Sequence, residues 1–366
     1  MKKILILTAG FGEGHNTAAK NIKAGLDEVA QGQAESKVMD VFEIADPKKM
    51  AFCKKYYLQM IQNMPLAWRI IFEFTHRANW VQKHAGFFKR ALQTLEEILQ
   101  KEQPDVVCST YPVYPNMFGR LHLEKFSKPF RKVTVVTDSI TIHSSWFTAE
   151  SDFFIVPNED TKKIFLDAGL PAEKILPLGF PVQTLFADPQ IAHSAPSPDG
   201  TPTILYMING NKGYAEGILN DLLAHSTWKV TVLAGKDEKL KQRLQPIVEK
   251  SNGRAVLVGW CNDIPKMLME HHVLICKAGG AIVQESIAAR CPMIVNHIVP
   301  GQEMGNYVLL KNNNCCALAN HPREIAPLID QALSDGARQW KEWRANLEKF
   351  KTQDSSLKIA DFLLKF

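Results

Sequence analysis

The 366 residues are 46% hydrophobic and 22% charged, with 21 Gly, 20 Pro and a net charge of +5, a globular composition that excludes a disordered or collagen-like chain. Length favours two cores of about 150 to 200 residues each. No stretch approaches the roughly 18 apolar residues that span a bilayer, and the apolar run after Lys3 stops at Ala9, too short for a signal peptide, so the chain is expected in the cytoplasm.

Residues 2–9, KKILILTA, read as a short buried strand. GFGEGH breaks it, and residues 16–30 carry helical apolar spacing. Residues 38–42 resemble a second strand. From Lys48 to Lys101 there are ten Lys/Arg against three acids, interleaved with Tyr56, Tyr57, Trp68, Phe72, Phe74, Trp80, Phe87 and Phe88. Cations with interfacial aromatics suit an anionic lipid surface. A nucleic-acid surface and an ordinary helical region with a solvated charged face are the competing readings. Further strands are expected at 106–110, 132–138 and 153–157, separated by helical stretches. Strand alternating with helix implies a parallel sheet covered on both faces.

The pattern pauses after Pro181. Residues 187–202 hold four prolines and no Lys or Arg, as an exposed linker does. PTILYMINGNKGYAEGI then repeats the opening order of strand, glycine loop and helix, with strands expected at 229–234, 255–258, 273–276, 293–296 and 315–318. The tail beyond 336 is helical, with Trp340, Trp343, Leu347 and Phe350 on one face. The expected organisation is a Rossmann-like domain over 1–182, a linker over 183–202, a second such domain over 203–335 and a helical segment over 336–366. Seven cysteines, at 53, 108, 261, 276, 291, 315 and 316, are odd in number and form no C-x-x-C pair. They read as reduced core residues rather than metal or redox groups.

Two loops invite chemistry. In Thr8-Ala9-Gly10-Phe11-Gly12-Glu13-Gly14-His15 the third glycine comes one position too early for G-x-G-x-x-G, which disfavours a dehydrogenase, and no P-loop occurs anywhere. What remains is a glycine turn presenting His15 at a helix N-terminus. The helix dipole is expected to keep that imidazole neutral, as a general base must be, and a helix-capping histidine is the alternative. In the second half, Lys277-Ala278-Gly279-Gly280-Ala281 opens a helix whose free N–H groups suit a diphosphate, with Glu285 one turn on for ribose hydroxyls. A plain glycine turn is the alternative there. Gln302 and Glu303 offer the donors and acceptors that grip sugar hydroxyls. Asn211, Lys212 and Gly213 put amides and one cation beside a diphosphate, or form a plain turn.

Taken together, T-A-x-x-G-x-G-H at the start, Thr137-Asp138 with His143 and Trp146, Leu178-Gly179-Phe180-Pro181-Val182, and K-x-G-G-(x4)-E with P-G-Q-E-x-x-N resemble one family. It is the monogalactosyldiacylglycerol synthase and processive diacylglycerol glucosyltransferase family, related to MurG-type transferases. The similarity runs from about residue 3 to 335. It implies an α/β GT-B fold of two doubly wound domains facing across a cleft, with the C-terminal helix crossing back to the first domain. It further implies inversion at the sugar carbon and no metal or other cofactor. His15 would be the base, Asp138 would orient it, and Gly14, His143 and Trp146 would shape the acceptor face. Gly279, Gly280 and Ala281 would meet the diphosphate, Glu285 the ribose, Gln302, Glu303 and Asn306 the sugar, and Trp260 to Asn262 the uracil. The family commonly has Pro at the position of Ala278 and Thr at that of Ile282, and the loss of that hydroxyl would remove one hydrogen bond near the phosphates. The implied partners are a UDP-hexose, glucose or galactose, a lipid acceptor such as diacylglycerol and an anionic membrane surface on the inner face, not nucleic acid. Rival readings are a UDP-sugar epimerase, a MurG-like transferase on another lipid, and a nucleotide-sugar sensor that binds a protein partner.

Overall fold

A computed structural model describes residues 1–83, 88–122, 126–149, 151–189, 196–299 and 301–366. Phe87, residues 190–195 of the expected linker, Pro300 and the Gln302 side chain lie outside the described part. The chain forms two compact units. One comprises Met1–Thr184, Pro300–Gly305 and Asp354–Phe366, the other Leu185–Val299 and Asn306–Gln353.

The first unit is built on β1 (Lys2–Leu7), α1 (Glu13–Val29), β2 (Ala34–Met39), α2 (Val41–Ala45), α3 (Pro47–Asn63), α4 (Pro65–Arg77), α5 (Trp80–Lys83), α6 (Lys89–Glu102), β3 (Val106–Ser109), α7 (Val113–Phe118), β4 (Arg131–Val135), β5 (Phe153–Ile155), α8 (Glu159–Asp167) and β6 (Ile175–Leu176). Its parallel sheet runs β2-β1-β3-β4-β5-β6, with Ile4 beside Val106 and Leu7 beside Ser109. Both faces are covered. Ala19, Ile22 and Leu26 of α1 pack on Ile4, Ile6 and Val106, while Ala91, Leu95 and Leu99 of α6, four residues apart, pack on Leu5, Leu7 and Val107. The second strand lies earlier than expected. Asp40 accepts a hydrogen bond from the Glu43 amide and starts α2, so Val41 and Phe42 are helical, not extended. The two-residue β6 carries too short an apolar signal to be read from sequence.

The second unit comprises β7 (Thr203–Met207), α9 (Ala215–Ala224), β8 (Lys229–Leu233), α10 (Glu238–Glu249), β9 (Ala255–Val258), α11 (Ile264–Glu270), β10 (Val273–Lys277), α12 (Gly280–Ala288), β11 (Met293–His297), α13 (Gln302–Asn312) from Asn306 onward, β12 (Cys316–Leu318) and α14 (Ile325–Glu348). Its sheet order is β12-β11-β10-β7-β8-β9, all parallel. This is the Rossmann order, with its switch point between β7 and β10. Helix α14 breaks at Ser334–Ala337. Trp340, Trp343 and Leu347 are core, as their spacing predicts, whereas Phe350 falls beyond the helix end and is only half-buried.

The last helix, α15 (Ser355–Leu363), packs in the first unit. Ser355 Oγ donates to the Phe180 carbonyl and Ser356 Oγ to that of Val182. A Cβ on Gly25 of α1 would stand 2.6 Å from the Ser356 carbonyl oxygen, so only glycine permits this approach. The seven cysteines are free thiols. Among the described residues no helix is long and apolar enough to cross a membrane.

Candidate active site

The first unit gathers polar groups at the carboxyl ends of β1, β3 and β4, where its own strand order reverses between β1 and β3. Gly12 has φ +114°, a conformation that glycine adopts without strain, and it swings the chain from β1 into α1. His15 is the third residue of that helix. Its Nδ1 lies 2.9 Å from the Thr110 carbonyl and 2.8 Å from Thr137 Oγ1. A carbonyl can only accept, so Nδ1 carries the proton and Nε2 keeps its lone pair. That is the tautomer of a general base. Tyr111 meets the ring edge-on at 5.1 Å and Trp146 lies 6.1 Å away. Burial is the leading cause that lowers the His15 pKa, and the Asp138 charge and the Thr110 carbonyl oppose it. The neutral state expected from the helix dipole is therefore reached chiefly by burial.

Asp138 follows β4. Burial pushes its pKa up, while the His15 charge and the Trp146 indole pull it down. Trp146 is fully buried and its Nε1 donates to Asp138 Oδ2 at 2.7 Å. A carboxylate held this way stabilises an imidazolium as it forms. Between Asp138 and Trp146 the backbone is strained. Ile140 has φ +59°, costly for a β-branched residue, and the Thr141 amide donates to the Ser139 carbonyl across it at 2.6 Å.

His143 is committed to the protein rather than open to an acceptor. The Ser145 amide donates to its Nδ1 at 3.2 Å, Ser145 Oγ lies 2.8 Å from the same nitrogen, and its Nε2 lies 3.1 Å from Thr75 Oγ1. Burial, with His76 adding to it, pushes its pKa down to about 4. Gly14 leaves open space beside His15, since a Cβ there would meet no described atom within 4 Å.

In the second unit, the β7 and β10 loops meet at the switch point. Asn209 Nδ2 donates to Cys276 Sγ at 3.2 Å, and Asn211, itself left-handed at φ +52°, donates to the Asn296 carbonyl at 3.1 Å. Lys212 pairs with Asp237 at 2.6 Å and is directed toward β8. Gly213 has open space beside it. Helix α12 starts at Gly279 with no side-chain cap, and its first intrahelical bond is Val283 N–H to the Gly279 carbonyl. The amides of Gly280, Ala281 and Ile282 are therefore left for a ligand or solvent. Glu285 is 7% exposed, and burial alone pushes its carboxyl up to about 7. Asn306 Nδ2 donates to the Ala278 carbonyl at 3.1 Å, while its Oδ1 is buried without a partner among the described residues. Trp260 is 62% exposed with Lys236 Nζ 4.3 Å from its ring centre, and Asn262 is exposed. Glu303, near the start of α13 in the stretch that belongs to the first unit, is buried.

The sequence reading missed Thr110 and Tyr111, which touch His15 only because β1 and β3 are neighbours. It gave Thr137 no role of its own. It named Trp68 only among the interfacial aromatics, whereas its Nε1 is a buried donor with no partner among the described residues, and it named neither Thr75 nor His76.

Outside this cluster, α4 turns Leu66, Ile70 and Phe74 outward, each 65 to 70% exposed, and α3 adds Phe52 and Tyr56. Positions 66, 70 and 74 share one helix face. Lys48, Lys55, Arg69 and Arg77 on the same two helices are also exposed.

Residues 15–182 match the family described as monogalactosyldiacylglycerol (MGDG) synthase, a span that includes His15, Asp138 and Trp146. The chain is 28% identical over 375 residues to the processive diacylglycerol beta-glucosyltransferase of Staphylococcus epidermidis, covering 99% of this chain and 92% of that one. The chain resembles the diacylglycerol glycosyltransferase family. The crystal structure of MurG from Acinetobacter baumannii superposes with a TM-score of 0.63 at 12% identity, over the full length of both chains. UDP-GlcNAc 2-epimerase from Neisseria meningitidis gives 0.58 at 14%, also over both full lengths. At such identities the structures speak for the fold alone, and that fold is GT-B.

Proposed function

We propose that the chain is an inverting glycosyltransferase that moves a hexose from a UDP-sugar to a hydroxyl of diacylglycerol or a similar lipid at a membrane surface. The observation that carries this reading is His15, neutral, with Nδ1–H held by the Thr110 carbonyl and Nε2 without a hydrogen-bond partner among the described residues. His15 Nε2 takes the proton from the acceptor hydroxyl while that oxygen attacks the anomeric carbon from the face opposite UDP. Asp138, fixed by Trp146, stabilises the imidazolium. Charge on the leaving UDP is met by the uncapped amides of Gly280 and Ala281. Glu285 accepts from the ribose hydroxyls, and the unpartnered Asn306 Oδ1 accepts from a sugar hydroxyl. Gln302 and Glu303 complete the sugar contacts, and Trp260 and Asn262 border the uracil. No metal or other cofactor is called for, so turnover should persist in a chelator.

The acceptor is read as a lipid because of α3 and α4. Aliphatic Leu66 and Ile70, each 70% exposed, gain nothing from phosphates or bases, but together with nearby exposed cations they fit an anionic bilayer. The 28% full-length identity to a processive diacylglycerol glucosyltransferase supports the same reading. The proposal places peripheral docking of the chain on the cytoplasmic face.

The deciding experiment incubates the protein with UDP-glucose or UDP-galactose, with and without diacylglycerol in anionic vesicles, and follows lipids and nucleotide sugars by mass spectrometry and NMR. A β-linked hexosyl lipid is expected. A changed UDP-sugar formed without any acceptor would instead establish an epimerase.

A further inference from the structure

The C-terminal turn of α4 is bonded to the loop that carries Asp138. The Ser144 amide donates to His76 Nδ1 at 2.9 Å, and Ser144 Oγ donates to the His76 carbonyl at 2.7 Å. One residue away, His143 Nε2 meets Thr75 Oγ1 at 3.1 Å. These bonds have a defined direction. Backbone amides occupy Nδ1 of both histidines as acceptors, so each neutral ring carries its proton on Nε2. His143 therefore donates to Thr75, whose hydroxyl donates in turn to the Ile71 carbonyl at 2.8 Å. Phe72 closes the contact, its ring 5.2 Å from that of His143.

On one side of these bonds lies the helix that exposes Leu66, Ile70 and Phe74. On the other lies the 3-10 turn Ser144–Trp146, then the Trp146 to Asp138 hydrogen bond, then His15. The loop between Asp138 and His143 also contains the strained Ile140. Such a conformation persists only where the surroundings over-determine it.

We infer that Thr75 and His76 are positioning residues that latch the lipid-facing helix to the 138–146 loop, so that docking of α4 on a bilayer sets Asp138 and, through it, the base His15. The inference rests on the membrane-docked transfer proposed above. If the bonds were merely structural, losing them would lower every activity in proportion.

The test compares the wild-type chain with His76→Ala, Thr75→Val and His76→Asn, in which Asn Oδ1 can replace the Nδ1 acceptor. Amide exchange across 138–146 is followed by mass spectrometry with and without vesicles of anionic phospholipid. Turnover is measured on vesicle-borne diacylglycerol and on a soluble short-chain diacylglycerol without vesicles. Vesicles are expected to slow exchange in the wild-type loop. His76→Ala and Thr75→Val should bind the same vesicles but lose that slowing. Their kcat on vesicle-borne acceptor should drop about tenfold, with KM for the UDP-sugar and turnover of the soluble acceptor changed less than about twofold. His76→Asn should restore both. Slowing retained in His76→Ala and Thr75→Val, absence of slowing in the wild-type protein, or equal proportional loss on both acceptors would each overturn the latch. If His76→Ala does not fold, Thr75→Val and His76→Asn decide. If no hexose reaches any diacylglycerol while the exchange pattern holds, the acceptor reading falls and the latch stands.

Discussion

A histidine acts as a base through what holds its other nitrogen. Because His15 Nδ1 is fixed on Thr110 and Thr137, His15→Ala is expected to lower transfer by about 10² to 10⁴-fold while calorimetry finds UDP affinity unchanged. Near-normal turnover would remove His15 from that role. Glu285 gives a second prediction. Its carboxyl is raised to about 7 by burial, and the ionised form is the better acceptor for ribose hydroxyls. UDP-glucose has no group of its own titrating near neutrality. Its affinity should therefore rise as pH goes from about 6 to 8 and level off above the Glu285 pKa. In Glu285→Gln the profile should be flat and binding weaker. Gly14 gives a third. The position has open space beside it and lies in the first turn of α1, so Gly14→Ala should raise stability by up to about 1 kcal/mol. Lower activity in the same variant, with UDP affinity intact, would mark that space as acceptor ground.

At the scale of the element, α4 is stabilised by one face and exposes the other. Leu66, Ile70 and Phe74 contribute little to folding while they face water, so Ile70→Asp with Phe74→Asp should leave the melting temperature nearly unchanged. Each buries roughly 1.5 to 3 kcal/mol of apolar side chain on entering a bilayer. The double variant should accordingly weaken vesicle binding by at least about 100-fold in a cosedimentation assay. Unchanged vesicle binding would show that this face does not meet lipid. The short α2 shows the opposite balance. There a single capping side chain, Asp40, overrides the strand preference of Val41 and Phe42.

At the scale of the molecule, the two units carry buried groups that respond to acid in opposite ways. His143 in the first unit has its pKa depressed to about 4 from 6.5. The unfolded chain takes up its proton first as pH falls, so this group removes stability between about 6.5 and 4, on the order of 3 kcal/mol in all. Glu285 in the second unit is raised to about 7 from 4.5. The folded chain takes up that proton first, so acidification through the same window adds stability. Acidification from about pH 7.5 to 5 should therefore stabilise the wild-type chain relative to Glu285→Gln in calorimetry, and an identical response of the two would show that the Glu285 carboxyl is not raised.

Much of this protein is written locally. The alternation of apolar runs with helical spacing determined two parallel sheets, and glycine loops after β1 and β10 marked candidate ligand sites, because burial on both faces and tight strand-to-helix turns leave a direct imprint on residue type. His15, Gly279 and Glu285 stood out as candidates for that reason, whereas Asp138 and Trp146 became candidates only through the family resemblance. Tertiary structure alone decided the state of those residues. The Thr110 carbonyl and Thr137 hydroxyl that set the His15 tautomer lie 95 and 122 positions away, and the Thr75 and His76 bonds to the 143–144 segment span 68. His143 likewise reads as an acceptor contact in the sequence and is a tie between elements in the fold. A hydrogen bond depends on which strands become neighbours and at what angle two groups meet, and neither has a signature within a few residues of chain.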